Sequence, residues 1–97
     1  MSRPIIVCLT LHLYLPGVAS LKEKRSVVKS MLERAHRHFN VTSAEIDQND
    51  VHQSAVVAFA TVTNSVRHGQ EQIDNLVRWL ETHFPDAIIT NQSTEIL

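Results

Sequence analysis

The sequence predicts an α+β domain with the element order β-α-β-β-α-β, and three observations carry that expectation. Two long segments, residues 20–39 and 65–83, repeat apolar side chains at helical spacing. The runs at 4–15, 40–47 and 54–63 are short, apolar and partly alternating, as strands are. The turn formers Pro16-Gly17, Gln48-Asn49-Asp50 and Pro85 fall between these segments and not inside them.

The first strand is the clearest. Ile5, Val7, Leu9, Leu11 and Leu13 face one way, and Ile6, Cys8, Thr10, His12 and Tyr14 face the other. One purely aliphatic face means that one side of the sheet packs on helices. Arg3 ahead of this run, and Pro16-Gly17-Val18-Ala19-Ser20 after it, have the outline of a secretory signal. The alternating Thr10, His12 and Tyr14 argue against that outline, and the run is too short and too polar on one side to span a membrane.

The first helix is expected over Ser20 to Phe39. Ser20-Leu21-Lys22-Glu23 forms a capping box, in which the serine hydroxyl takes a free amide and the glutamate reaches back to the Ser20 amide. Its core stripe is Leu21, Val28, Met31, Leu32, Ala35 and Phe39. Strand two follows over Asn40 to Asp47 and strand three over Ser54 to Thr63, with a connection short enough for a hairpin. Ser65 caps a second helix running to about His83, with Val66, Ile73, Leu76, Val77, Leu80 and Phe84 inward. Ala87 to Leu97 supplies a fourth strand with a polar, frayed end.

With right-handed crossovers this order gives a ferredoxin-like domain: one four-stranded antiparallel sheet with two helices on one face. The other face stays open. The 97 residues fit one domain, 1–97, that buries roughly 60–65% of its unfolded surface. An apolar fraction of 43%, with only 2 Gly and 3 Pro, places the chain among globular proteins. Its single cysteine, Cys8, permits no internal disulfide, which fits a cytoplasmic location.

Charge is the main functional signal. Residues 20–39 carry six basic and two acidic side chains, whereas the rest of the chain carries three basic and eight acidic. Lys22, Lys24, Arg25 and Lys29 open the first helix, and Lys22, Arg25 and Lys29 fall within about a 60° sector of it. Such asymmetry steers a polyanion onto one surface, so these four residues are the candidate nucleic-acid contact. The plain alternative is a solvated helix face, with Glu33 on the same stripe.

The open sheet face is a second candidate. Thr10, His12 and Tyr14 project from strand one, and Val57, Phe59, Thr61 and Thr63 are expected beside them from strand three. The segment from Gln53 to Ala60 lacks the basic-glycine-aromatic pattern with which RNA-recognition sheets stack bases. Cover by a second copy is therefore the preferred expectation, making a homodimer, with the C-terminal segment as the other possible cover. Trp79 sits about 120° from the core stripe and is a third candidate contact, with packing on a sheet edge or loop as its alternative.

Catalytic and metal readings find little support. His36 and His38 diverge by about 200° on the helix, and His12, His52, His68 and His83 are scattered. Glu45 and Asp47 share a strand face near Asp50, a weak divalent-ion motif set against an ordinary polar strand edge. Ser20, Ser26 and Ser30 have no local base. Pro16-Gly17 offers no glycine-rich anion cradle of the kind small acylphosphatases use on this topology. No catalytic residue, cofactor or metal is assigned.

Leu11-His12-Leu13, Ser20-Leu21-Lys22-Glu23-Lys24-Arg25, Phe39-Asn40-Val41 and Ala44-Glu45-Ile46-Asp47 together resemble the YlxP-like family of small bacterial proteins of unknown function. The resemblance covers nearly the whole chain and implies a ferredoxin-like fold. Genes of that family often neighbour those for translation initiation and ribosome maturation factors, which implies RNA or a ribosomal particle as partner by association. It brings no catalytic residues. The expectation is thus a cytoplasmic, non-enzymatic accessory protein that binds RNA or ribosomal particles through its first helix. The alternative is a homo-oligomeric protein-interaction module, and a small phosphate-handling enzyme stands third.

Overall fold

The structure is a computed structural model, and it describes residues 3–48 and 50–97. Asn49 of the expected Gln48–Asp50 turn lies outside the described residues. The elements are β1 (Ile5–Tyr14), α1 (Leu21–His38), β2 (Thr42–Asp47), β3 (Ser54–Thr63), α2 (Val66–His83) and β4 (Ile88–Ile96). They form one sheet in the order β2-β3-β1-β4, with every neighbouring pair antiparallel. This is the ferredoxin-like α+β arrangement that the order of elements requires.

Ten consecutive cross-strand pairs, from Ile5 with Thr63 to Tyr14 with Ser54, join β1 and β3 without a break. Residues directly opposite one another share a face. Leu9 opposite Phe59 and Leu11 opposite Val57 therefore put the odd-numbered residues of both strands on one side, under the helices. All four of these side chains are fully buried.

The expectation that Val57, Phe59, Thr61 and Thr63 face the open side is thus corrected. Strand three carries apolar residues at both parities, so its own pattern does not choose a face; pairing with β1 does. Thr61 is buried on the core side because its hydroxyl donates to the Asn40 carbonyl at 2.8 Å, which satisfies it.

The helices pack as their stripes dictate, with three adjustments. In α1 the buried residues are Lys24, Val28, Met31 and Ala35, so a lysine joins the stripe. The Ser20 hydroxyl accepts from the Glu23 amide at 3.1 Å, and the Glu23 carboxylate accepts from the Ala19 amide at 2.8 Å, one residue further out than a standard capping box. In α2 the first-turn Val66 is exposed, and Gly69 takes the buried position there.

Strand β4 does not fray. It pairs with β1 from Tyr14–Ile88 to Val7–Ile96 through a bulge opposite His12/Leu13, and Ile6 and Leu97 exchange backbone hydrogen bonds of 3.1 and 2.8 Å beyond it. Backbone pairing holds it where its polar side chains contribute no core.

Gly69 fixes how closely α2 approaches the sheet. A Cβ at this position would stand 2.7 Å from Val7 Cγ2 and 3.0 Å from Thr63 Cγ2. Both neighbours are β-branched and stiff at χ1, and Val7 is fully buried. Alanine would gain about 1 kcal/mol of helix propensity. Overpacking costs about 1–3 kcal/mol. Gly69→Ala is expected to lower stability by about 1 kcal/mol in urea unfolding, opposite in sign to the propensity scale.

Candidate nucleic-acid interface

The four basic residues that open α1 do not act together. Lys22, Arg25 and Lys29 are exposed, whereas Lys24 is fully buried. Lys24 stands four residues before Val28 and seven before Met31, which places it on the core stripe and about 200° around the helix from Lys22. That spacing was the available signal, and the surrounding charge masked it. Its assignment to the nucleic-acid contact is corrected.

Burial of the Lys24 ammonium is offset by two partners. Nζ lies 2.6 Å from Glu45 Oε2 and donates to the Gln48 carbonyl at 2.6 Å. Glu45 reaches it because β2 pairs Glu45 with Val57, on the helix side of the sheet. Glu45 Oε2 is itself buried and accepts no well-aligned hydrogen bond among the described residues, so this contact is an ion pair by proximity. Gln48 holds its carbonyl in place at a φ of 60°, in the left-handed region that non-glycine residues rarely adopt. Lys24 therefore cancels one acidic charge inside and contributes nothing to the outward field.

The remaining cations border a shallow groove. Arg25, Lys29, Leu32, Glu33 and His36 of α1 line one wall, and Thr42, Ser43 and Glu45 of β2 the other, enclosing about 440 Å³. His36 Nδ1 donates to the Val41 carbonyl at 2.7 Å, which ties the ring to the start of β2. Lys22, Arg25 and Lys29 take part in no ion pair among the described residues. Two long cations beside Ser43, the hydroxyl residue on the helix side of β2, suit phosphate oxygens. Glu33 is the one exposed carboxylate on the same wall.

The other candidates separate into three groups. Thr10, His12 and Tyr14 lie on the open sheet face, as the alternation of β1 requires. Val57 and Phe59 are core residues on the opposite side and leave the list of surface contacts. Trp79 is half-buried at the C-terminal ends of both helices, away from the open face. Its ring stacks between His38 at 5.3 Å and His83 at 4.8 Å, meets Phe39 edge-on at 5.8 Å, and carries the Arg34 guanidinium over it at 5.7 Å. Its available surface is used within the chain, joining the two helices.

Glu45 and Asp47, expected on one strand face, are parted by the bulge between them. Glu45 turns inward to Lys24, and Asp47 Oδ1 accepts from the Gln48 amide at 2.7 Å. Among the described residues no group of three or more His, Cys, Asp or Glu side chains is placed to hold a metal, and no helix is long and apolar enough to cross a membrane. A second groove of about 570 Å³ runs between the β1–α1 connection and the end of α2. Of its polar residues, Glu23 is committed to the α1 cap and His83 Nδ1 to the Trp79 carbonyl at 2.9 Å.

Fold and surface together define a small α+β protein with a cationic helix face and an uncovered sheet. Residues 6–93 match the family described as "Protein of unknown function (DUF503)", and the chain belongs to that family. It is 33% identical over 76 residues to the uncharacterized protein YlxP of Bacillus subtilis (strain 168), covering 78% of this chain and 82% of that protein. The de novo designed protein Foldit4 superposes with a TM-score of 0.58 at 11% identity, over 98% of this chain and 97% of that one. That likeness is one of fold alone.

Breaking the buried pair is expected to cost far more than replacing it. Glu45→Ala strands the Lys24 ammonium and should lower the unfolding free energy by about 3 kcal/mol, whereas Lys24→Met combined with Glu45→Met should stay within about 1 kcal/mol of the parent. Urea titrations of the two single variants and the double variant give the coupling directly.

Proposed function

We propose that this protein is a non-enzymatic accessory factor that lays the α1 face against the phosphodiester backbone of RNA, as found on ribosomal particles. The observation that carries the reading is the set of three exposed cations, Lys22, Arg25 and Lys29, free of ion pairs among the described residues and within about 60° on one helix face. The groove beside them adds Ser43, which stands opposite Phe59 on the helix side of the sheet. Long cations and hydroxyls on an open helix face are the usual ligands of phosphate oxygens. Binding is accordingly electrostatic, weak and tolerant of sequence. RNA is chosen among polyanions because the family resemblance implies a ribosomal setting.

The measurement is binding of a fluorescent single-stranded RNA across a salt series. Neutralising about three phosphates gives a slope near −2 in log K against log salt. Lys22→Glu, Arg25→Glu and Lys29→Glu together should abolish binding, and each single Ala variant should flatten the slope by somewhat under 1. Unchanged binding in the triple Glu variant would sink the proposal.

A further inference from the structure

The sheet face opposite the helices carries a different chemistry. The two central strands, β1 and β3, contain no Asp, Glu, Lys or Arg at any of their positions. On their open side, Ile6 is 39% and Val62 62% exposed at one end, as a directly opposed pair. At the other end Tyr14 is 45% exposed beside its β4 partner Ile88 at 47%. Between these ends lie three pairs: Cys8 opposite Ala60 and Thr10 opposite Ala58, which are small, and His12 opposite Val56 towards the Tyr14 end. Among the described residues, the carboxylates paired onto this side are Asp47 and Glu95, on the edge strands β2 and β4.

We infer that this face is the interface of a homodimer, in which a second copy lays its own open sheet against it. The size of the face supports that occupant. Ten residues at about 3.3 Å each, across four strands about 4.8 Å apart, give a footprint of about 33 by 19 Å. This approaches the roughly 800 Å² per partner that a stable specific interface buries. Small side chains along the middle let two sheets approach to about 10 Å, as stacked sheets do. The absence of charge from the central strands leaves a charged partner nothing to pair with there, whereas an identical apolar surface is its own complement. A two-fold arrangement covers the patch on both copies at once and closes, so association stops at two.

The dimer leaves both α1 helices outside, on opposite flanks, because each lies on the far side of its own sheet. The inference is therefore independent of the RNA reading, and the two fail separately.

Sedimentation velocity of the full chain, from about 1 to 200 µM, tests it. The parent should reach twice the 11.0 kDa chain mass within that range. Thr10→Arg puts two charges into the middle of the interface and should weaken dimerisation at least about 100-fold, with folding checked by circular dichroism. Ala58→Lys, on the strand opposite, provides the same test should Thr10→Arg fail to fold.

The Cys8 thiol gives a second readout on the same face. Its reaction with an aromatic disulfide should slow as parent concentration rises, and should not slow in the Thr10→Arg monomer. The triple Glu variant of Lys22, Arg25 and Lys29 should dimerise like the parent. A parent that stays monomeric at 200 µM would overturn the inference. So would a dimer that persists in both face variants. A dimer lost only on Thr94→Pro, at a position whose N–H faces away from β1, would assign the contact to the β4 edge and overturn it as well.

Discussion

The pairing of β1 with β3 is the constraint on which the rest of the molecule depends. Ten unbroken antiparallel pairs lock the parity of both strands, and parity decides which side chains lie under the helices. Once Leu9 stands opposite Phe59 and Leu11 opposite Val57, the core is assembled around them. Met31 and Ala35 of α1, and Ile73 and Leu76 of α2, close over that side. The edge strands follow from the same pairing: β2 attaches to β3 and β4 to β1, each with one bulge.

The same pairing separates two surfaces of unlike chemistry. The helix side of the domain carries the exposed cations of α1, and the opposite side is a sheet whose central strands hold no charge. Phosphate recognition depends on attraction that salt screens, whereas apolar sheet packing does not. Under the two proposals above, the polyanion and the second copy sit on opposite faces and do not compete.

Lys24 shows how a local charge pattern misstates a surface. Within four residues the chain places three cations, Lys22, Lys24 and Arg25, yet the helix turns the middle one into the core. Its buried amino group finds partners there because Glu45 and the Gln48 carbonyl, both distant in sequence, arrive beside it. Ion pairing in the interior is a tertiary property, since burial of an ammonium is tolerable only when a partner is held in place by other elements. Trp79 is a similar case. Its half exposure was legible from helix geometry, but its neighbours His38 and Phe39 belong to the end of the other helix and become neighbours only when the helices pack.

The sequence by itself determined the six elements, their order, the capping serines at 20 and 65 and the inward face of β1. Each of these rests on interactions between residues a few positions apart, which periodicity and turn chemistry record directly. It also carried the family resemblance, through four short blocks of which Ser20 to Arg25 is the longest. Only the tertiary structure decided the face of β3, because apolar residues at both parities leave the choice to the partner strand. It also decided the inward fate of Lys24, the parting of Glu45 from Asp47 by a bulge, and the full extension of β4 along β1. These outcomes depend on contacts between segments far apart in the chain, and no local pattern encodes a contact whose partner lies in another element.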